Sequence, residues 1–452
     1  MTDEPIRIAG EGRRAGSQGP SVPLEIVLET GAFAFRLGSE PVRRAAYRDA
    51  ATIAIADQTG LLAIGRGPGA EQLLLDRFGA QLGGLIRELR DRRLRQLLAD
   101  RFVELPGDRP IELVEYAAPA GAGIAQYAAH PWGFVLAPLD ERLAWIGVRR
   151  GEVGAVVPRV EVGGVRVEVA GGAGAGGAGA VDLLRLGPAA ARYEQELSAL
   201  RDGADSDAAA LVGALIPDAP FEVRDRASRL LVDGRPAGPE ALGEAWPWLE
   251  RAVLSEPVFA ESYRLLVARA GGAAGDAQAL RWLALSPTGP GSDERRAWFF
   301  VALPGNLVAM ELVSEGAHAT YLFRVVPRAL YGGSAPQGMR PAVEAAVAGV
   351  STALVDARFL REPIGLPDDQ LAAPAYARYR LALAALPSLA AARRMFVARL
   401  VHRDAAGWSA ALDDLVRWHA GARDDAAAWP GRTAQEGAIT EAAGSSGGKP
   451  EG

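Results

Sequence analysis

Glu311, His318, Thr320 and Arg324 would meet on one sheet face if the segments around them form two strands joined through Glu315-Gly316. Side chains alternate along a strand, and so short a connection sets the pairing, so Glu311 falls opposite Thr320 and Val313 opposite His318. A glutamate and a histidine held together can pass a proton near neutral pH, and an arginine beside them can hold an anion. Glu311, His318 and Arg324 are therefore the candidate catalytic set, with Arg393-Arg394 as further anion partners. The alternative is a sheet face of ordinary cross-strand polar pairs. Three other patterns offer less. Gly349-Val350-Ser351-Thr352-Ala353 has nucleophile-elbow spacing but lies in a helical pattern instead of a strand-to-helix turn. Asp368-Asp369 would either hold a cation or favour the amino end of a helix. His130, His318, His402 and His419 show no HExxH spacing, so no metal site and no cofactor are expected.

Other chemistry is closed off by composition. Lysine occurs once, at Lys449, and cysteine not at all. Lysine-dependent phosphate loops, Schiff-base enzymes, thiol nucleophiles and iron–sulfur clusters all need one of those side chains inside a fold. The net charge of −6 gives no electrostatic reason to bind nucleic acid, and 49% hydrophobic with 23% charged residues is a globular balance. Met1 to Pro20 contains no apolar segment of the kind a secretory signal needs, so a soluble cytoplasmic protein is expected. Tyr116 to Leu139 carries no Asp, Glu or Arg and is long enough to span a bilayer, but Pro119, Pro131, Pro138, Gln126 and His130 argue against a spanning helix.

The elements that must position any site are organised by an internal repeat. Leu61 to Ile64, a glycine-rich loop, Leu73 to Leu75, Arg77-Phe78-Gly79 and a helix from about Gln81 match Val165 to Val169, the tract Ala170 to Ala180, Val181 to Leu184, Arg185-Leu186-Gly187 and a helix from Pro188. Counted from Gly79 and Gly187, Leu85 matches Tyr193, Glu88 matches Glu196 and Leu89 matches Leu197. The repeat also decides how Gly65-x-Gly67-x-Gly69 is read. A dinucleotide loop leads directly into a helix, whereas here a strand intervenes, so the loop is a hairpin connection. In the first repeat helix, Arg87, Arg90, Arg92, Arg93 and Arg95 form either a solvated face or a patch for anionic lipid or a protein partner.

A strand meander closed by one amphipathic helix resembles a pleckstrin-homology-like (PH-like) domain, over residues 21–105 and again over 112–217. The resemblance implies a lipid-binding or protein-binding module. It points to Arg43, Arg44 and Arg48, in the first interstrand region, as the positions where such a domain would present cations to a phosphoinositide.

The expected fold is α+β. Residues 1–20 are expected to be a disordered amino terminus, followed by the two PH-like units. A helical connector spans 219–270, with Trp246, Trp248, Phe259 and Tyr263 as packing anchors and a turn at Asp233-Gly234-Arg235-Pro236. A third α+β unit covers 280–365, either a diverged copy or a separate fold. Residues 366–423 form a helical region with a hairpin of Ala373 to Leu386 and Ser388 to Val401, and 424–452 a disordered tail. The expected function is a non-enzymatic interaction or scaffold protein with a protein partner or self-association. The alternative is a small-molecule-binding protein or hydrolase using the Glu311, His318 and Arg324 face. Peripheral membrane contact through Arg43, Arg44 and Arg48 is a variant of the first.

Overall fold

The computed structural model describes residues 5–65, 69–105, 111–140, 142–170, 179–255, 257–271, 279–312, 319–325, 339–402 and 404–421. They form an α+β protein with three antiparallel sheets and a helical carboxy-terminal region. The first sheet contains β1 (Ile6–Arg14), β2 (Val22–Leu28), β3 (Ala32–Leu37), β4 (Arg43–Ala46), β5 (Ala50–Ala56), β6 (Thr59–Ile64) and β7 (Glu71–Asp76), in the order β4-β3-β2-β1-β7-β6-β5, and α1 (Gln81–Ala99) follows it. The second contains β8 (Glu112–Ala118), β9 (Gly121–His130), β10 (Gly133–Pro138), β11 (Ile146–Arg149), β12 (Val153–Arg159), β13 (Gly164–Val169) and β14 (Gly179–Leu184), followed by α2 (Ala190–Leu215). Its order, β11-β10-β9-β8-β14-β13-β12, is the first order shifted by one repeat.

The duplication extends to local geometry. A short 3-10 turn joins the fourth and fifth strands of each sheet, at Tyr47–Asp49 and at Arg150–Glu152. Arg77 and Gly79 both have positive φ (49° and 54°), as do Arg185 and Gly187 (52° and 56°), so each Arg-apolar-Gly triplet turns the chain from strand to helix in the same way. Each arginine then pairs with a glutamate on the first strand of its own sheet, Arg77 with Glu11 at 3.0 Å and Arg185 with Glu115 at 3.2 Å. Leu85 and Tyr193, and Leu89 and Leu197, are all buried. The loop containing Gly65 and Gly69 connects paired strands, with Ile64 opposite Glu71, and is a hairpin connection; residues 66–68 lie outside the described set.

One expectation is corrected in this half. Residues 6–14 are not disordered: β1 is a central strand, hydrogen-bonded to β2 on one side and β7 on the other. Its hydropathy pattern is broken by Gly10 and Gly12, and packing explains both. A Cβ at Gly10 would lie 2.7 Å from the Phe78 ring, and one at Gly12 2.6 Å from the Leu24 side chain. The charge-poor stretch from Tyr116 to Leu139 consists of strands, and from Ala125 through Pro138 nearly every residue is buried irrespective of the side on which it points. On one side Ala128, Val135 and Ala137 pack with Leu94 and Leu98 of α1, while the Tyr127 and Phe134 rings meet at a tilt with centroids 5.9 Å apart. A strand covered on both faces has no position for a charge, which is why it imitates a membrane segment. No helix of the described residues is long and apolar enough to cross a membrane.

The chain divides into two compact units, residues 1–130, 134–147 and 183–185 in the first, and 131–133, 148–182 and 186–452 in the second. The second continues with α3 (Phe221–Leu230), α4 (Pro239–Leu242), α5 (Ala245–Leu254) and α6 (Pro257–Gly271), then β15 (Arg281–Pro287), β16 (Arg295–Leu303), β17 (Leu307–Leu312) and β18 (Ala319–Arg324). It ends with α7 (Met339–Asp356), α8 (Glu362–Gly365), α9 (Asp368–Leu371), α10 (Ala377–Ala385), α11 (Pro387–Met395), β19 (Phe396–Val401) and α12 (Ala405–Gly421). The third sheet has the order β15-β16-β17-β18-β19, without the first-to-seventh strand closure of the other two. The expected helix through Val401 therefore stops at Met395. Phe396-Val397-Ala398-Arg399-Leu400-Val401 is rich in aromatic and β-branched residues and supplies the partner that β18 would otherwise lack along one edge. The helices of 219–270 are part of the core: Trp246, Leu249, Phe259 and Tyr263 pack with Leu283 and Phe299 of the third sheet.

In the first unit, α1 also brings Asp91 against β9, where Gln126 Nε2 donates to Asp91 Oδ1 at 3.1 Å. Burial, helped by Glu88, pushes the Asp91 carboxyl up to about 6 despite Arg95, Arg87 and the Gln126 bond. The folded state thus retains a proton that an unfolded chain releases near 3.8, so the stability this gives is full below that value and is lost as pH rises through about 6. Urea unfolding of the Asp91→Asn protein should lose this fall in stability between those pH values; pH profiles parallel to those of the wild type would contradict the assignment.

Candidate functional site

β17 and β18 pair with Glu311 opposite Thr320, which puts both side chains on the same sheet face. That face is covered by helices. Ser262 comes from α6 and Trp408 from α12, while His402 follows the last residue of β19, which pairs with the first of β18. Around Glu311 the Ser262 hydroxyl donates to Oε2 at 2.9 Å, the Thr320 hydroxyl donates to Oε1, and His402 Nε2 lies 3.1 Å from Oε1. Trp408 Nε1 donates to Thr320 Oγ1 at 2.9 Å, and His402 Nε2 is 2.9 Å from the same oxygen. Since the Thr320 proton is directed to Glu311, its oxygen accepts from both Trp408 and His402, which requires the proton of His402 on Nε2. Glu311 and Thr320 are 1% and 0% exposed. The hydroxyls donate to the carboxylate and neither faces a free imidazole lone pair, so this is not the arrangement of an activated nucleophile.

The residues chosen from sequence are distributed differently. The structure joins Glu311 to Thr320 and to His402; His318 lies outside the described residues. Arg324 is at the other end of β18, opposite Leu307, and its charge acts on His419. Burial, seconded by Arg324, lowers the His419 imidazole to about 4. Arg393 is held by the carbonyls of Pro363 and Ile364 and by Asp368 at 2.6 Å, which leaves Asp368 as an ion-pair partner at the start of α9. Ser351 accepts the Trp298 indole proton at 2.9 Å and donates to the Gly234 carbonyl at 2.6 Å, and is buried in α7.

The three arginines of the first sheet do not converge either. Arg43 pairs with Glu71 at 2.6 Å, Arg44 with Glu29 at 2.5 Å and Arg48 with Asp100 at 2.7 Å. Arg43 and Arg44 are successive residues of β4 and so point to opposite faces. Of the helix arginines, Arg92 bonds Glu88 and the Glu29 carbonyl, and Arg90 the Ile53 carbonyl. Among the described residues no three His, Asp or Glu side chains are grouped as a metal ion would need.

The densest charge cluster was not singled out from sequence. Arg150, 3% exposed, forks onto Asp233 with contacts of 2.8 to 3.2 Å and reaches Asp207 on α2 at 2.6 Å. Asp233 also accepts from the Gly151 amide at 3.1 Å and sits at φ 46° in the Asp-Gly turn. Burial opposes the charge of Arg150, but its bonds to Asp233 and Asp207 outweigh that and raise its pKa. Arg150 and Arg358 both lie over the Trp132 ring, at 5.0 and 4.5 Å, and Arg149 beside them is paired with Glu152 at 2.8 Å. The only sequence signals were the Asp-Gly turn and the position of Arg150 in the repeat, where the first copy has Tyr47. Comparison with protein-family models and with curated proteins finds no match.

The Glu311 centre is expected to act in folding. Glu311→Ala should lower unfolding free energy by about 3 kcal/mol or more, because it removes the carboxylate to which the buried Ser262 and Thr320 hydroxyls donate, and Glu311→Gln should cost less. Equal stability of wild type and Glu311→Ala in urea titration would contradict this role.

Proposed function

We propose that this chain is a non-enzymatic interaction protein, built from two PH-like modules in tandem and a third α+β unit. The repeated seven-strand order closed by a helix is the arrangement a PH-like module would have, and it supports that reading of residues 6–99 and 112–215. The observation that carries the functional part is the internal neutralisation of the candidate groups. Arg43, Arg44, Arg48, Arg150 and Arg393 each have a carboxylate partner within the chain, and Glu311 is enclosed by Ser262, Thr320, His402 and Trp408. Groups so engaged are poorly placed to bind phosphate or start a reaction.

Surface apolar residues favour a protein partner. β12 is an edge strand of the second sheet, and Val157 on it, with Val160 and Val162 in the turn that follows, are 44%, 86% and 37% exposed. Among the described residues no strand pairs with the outer side of β12, and such an edge flanked by exposed valines can accept a strand or an apolar patch from another protein.

The test is affinity capture of the full chain from its native cells. A stoichiometric polypeptide should be retained by the wild type and lost with Val157→Glu/Val160→Glu, whose thermal stability should match the wild type. Capture unchanged by the double substitution would refute the β12 edge as the contact, and retention of a metabolite without any polypeptide would refute the scaffold reading.

A further inference from the structure

A cavity of about 170 Å³ lies within the first unit, between β5 and α1 on one side and β9 and β10 on the other. Its wall includes Arg90, Arg93, Leu94, Leu97, Leu139 and Trp145. The size is comparable to the engineered cavity of about 150 Å³ that takes up benzene. The lining, however, mixes apolar groups with cations. Arg90 is tied through Nε to the Ile53 carbonyl at 2.8 Å, and among the described residues no carboxylate is ion-paired with it. Asp91, its neighbour in the chain, attracts it through space but receives its own hydrogen bond from Gln126. Desolvation lowers the Arg90 pKa, as expected for a partly buried guanidinium whose charge is incompletely matched. Arg101 lies over the Trp145 ring at 3.9 Å, adding a further cation at the aromatic wall.

A partly buried cation whose charge is incompletely matched is costly, and the chain elsewhere supplies a paired carboxylate to nearly every arginine at issue. Here the space beside the guanidinium is a cavity. We infer that this cavity is a binding site for a small organic monoanion, a carboxylate with a flat or short apolar body, whose charged end meets Arg90 and whose body lies among Leu94, Leu97, Leu139 and Trp145. The guanidinium nitrogens beyond Nε offer the forked donors that match a carboxylate, and the leucines and indole offer the apolar contact that a free inorganic anion would not use.

Calorimetric titration of the full chain with benzoate, and with benzyl alcohol as the neutral probe of similar shape, tests this. Benzoate should bind roughly tenfold or more tightly than benzyl alcohol, the factor that one charge-assisted hydrogen bond provides. Arg90→Gln should abolish that preference while leaving benzyl alcohol binding unchanged. Absence of benzoate binding at millimolar concentration, equal binding of the two probes, or a preference that survives Arg90→Gln would each overturn the inference. Should Arg90→Gln fail to fold, Leu97→Trp keeps the cation and fills the space: loss of benzoate binding by that folded variant supports the site, and unchanged binding places the probe elsewhere and overturns it. None of these outcomes depends on the scaffold reading.

Discussion

The second unit depends on a charge placed where water cannot reach it. Arg150 sits in the tight turn between β11 and β12, almost fully buried, and its guanidinium reaches α2 through Asp207 and the turn after α3 through Asp233. Leaving both carboxylates out would strand a cation in a low-dielectric interior, which costs far more than a surface ion pair contributes. The turn after α3 also accepts Ser351 of α7 through the Gly234 carbonyl, and Ser351 in turn holds the Trp298 indole of β16. One guanidinium thus fixes the point at which the repeat, the connecting helices and the third sheet share hydrogen bonds.

The two copies of the repeat show how such a role can arise on a common scaffold. At the corresponding turn of the first sheet, Tyr47 is buried and donates to the Glu29 carbonyl, and Arg92 of α1 lies over its ring. The first copy fills the corner with an aromatic side chain beside Arg92; the second fills it with a buried, paired cation. Glu311 follows the same rule in the third sheet. It is a carboxylate buried because four neighbouring side chains satisfy it or its partners, and buried networks of this kind are costly when incomplete and specific when complete. Arg90 is the departure, a partly buried cation whose partner is a carbonyl and a cavity.

What was legible in the sequence follows the range of the interactions. The repeat was readable because Arg-apolar-Gly and the helix positions Leu85/Tyr193 and Leu89/Leu197 are local patterns under backbone control. The pairing of Glu311 with Thr320 was readable because alternation and a short connection set the register. Strand β1 was obscured because Gly10 and Gly12 replace the alternation that marks a strand, for reasons that lie in Phe78 and Leu24, far away in sequence. The local pattern of β19 reads as helix because its role is to complete a sheet edge built some eighty residues earlier, as in the pairing of Ala319 with Val401. His402 gave no local signal and Arg150 only its place in the repeat, since each is defined by partners from several separate segments.

The central claim is that buried ion pairs in this chain serve the fold. A double-mutant cycle on Arg150 and Asp233, with Arg150→Met, Asp233→Asn and the double variant followed by urea unfolding, tests it most directly. Each single substitution should cost about 3 to 5 kcal/mol, and the double variant should cost clearly less than the sum of the two, because both single changes break the same buried contact and the second removes an interaction already lost. Additive effects, each below about 1 kcal/mol, would place the pair with ordinary surface salt bridges and contradict the account.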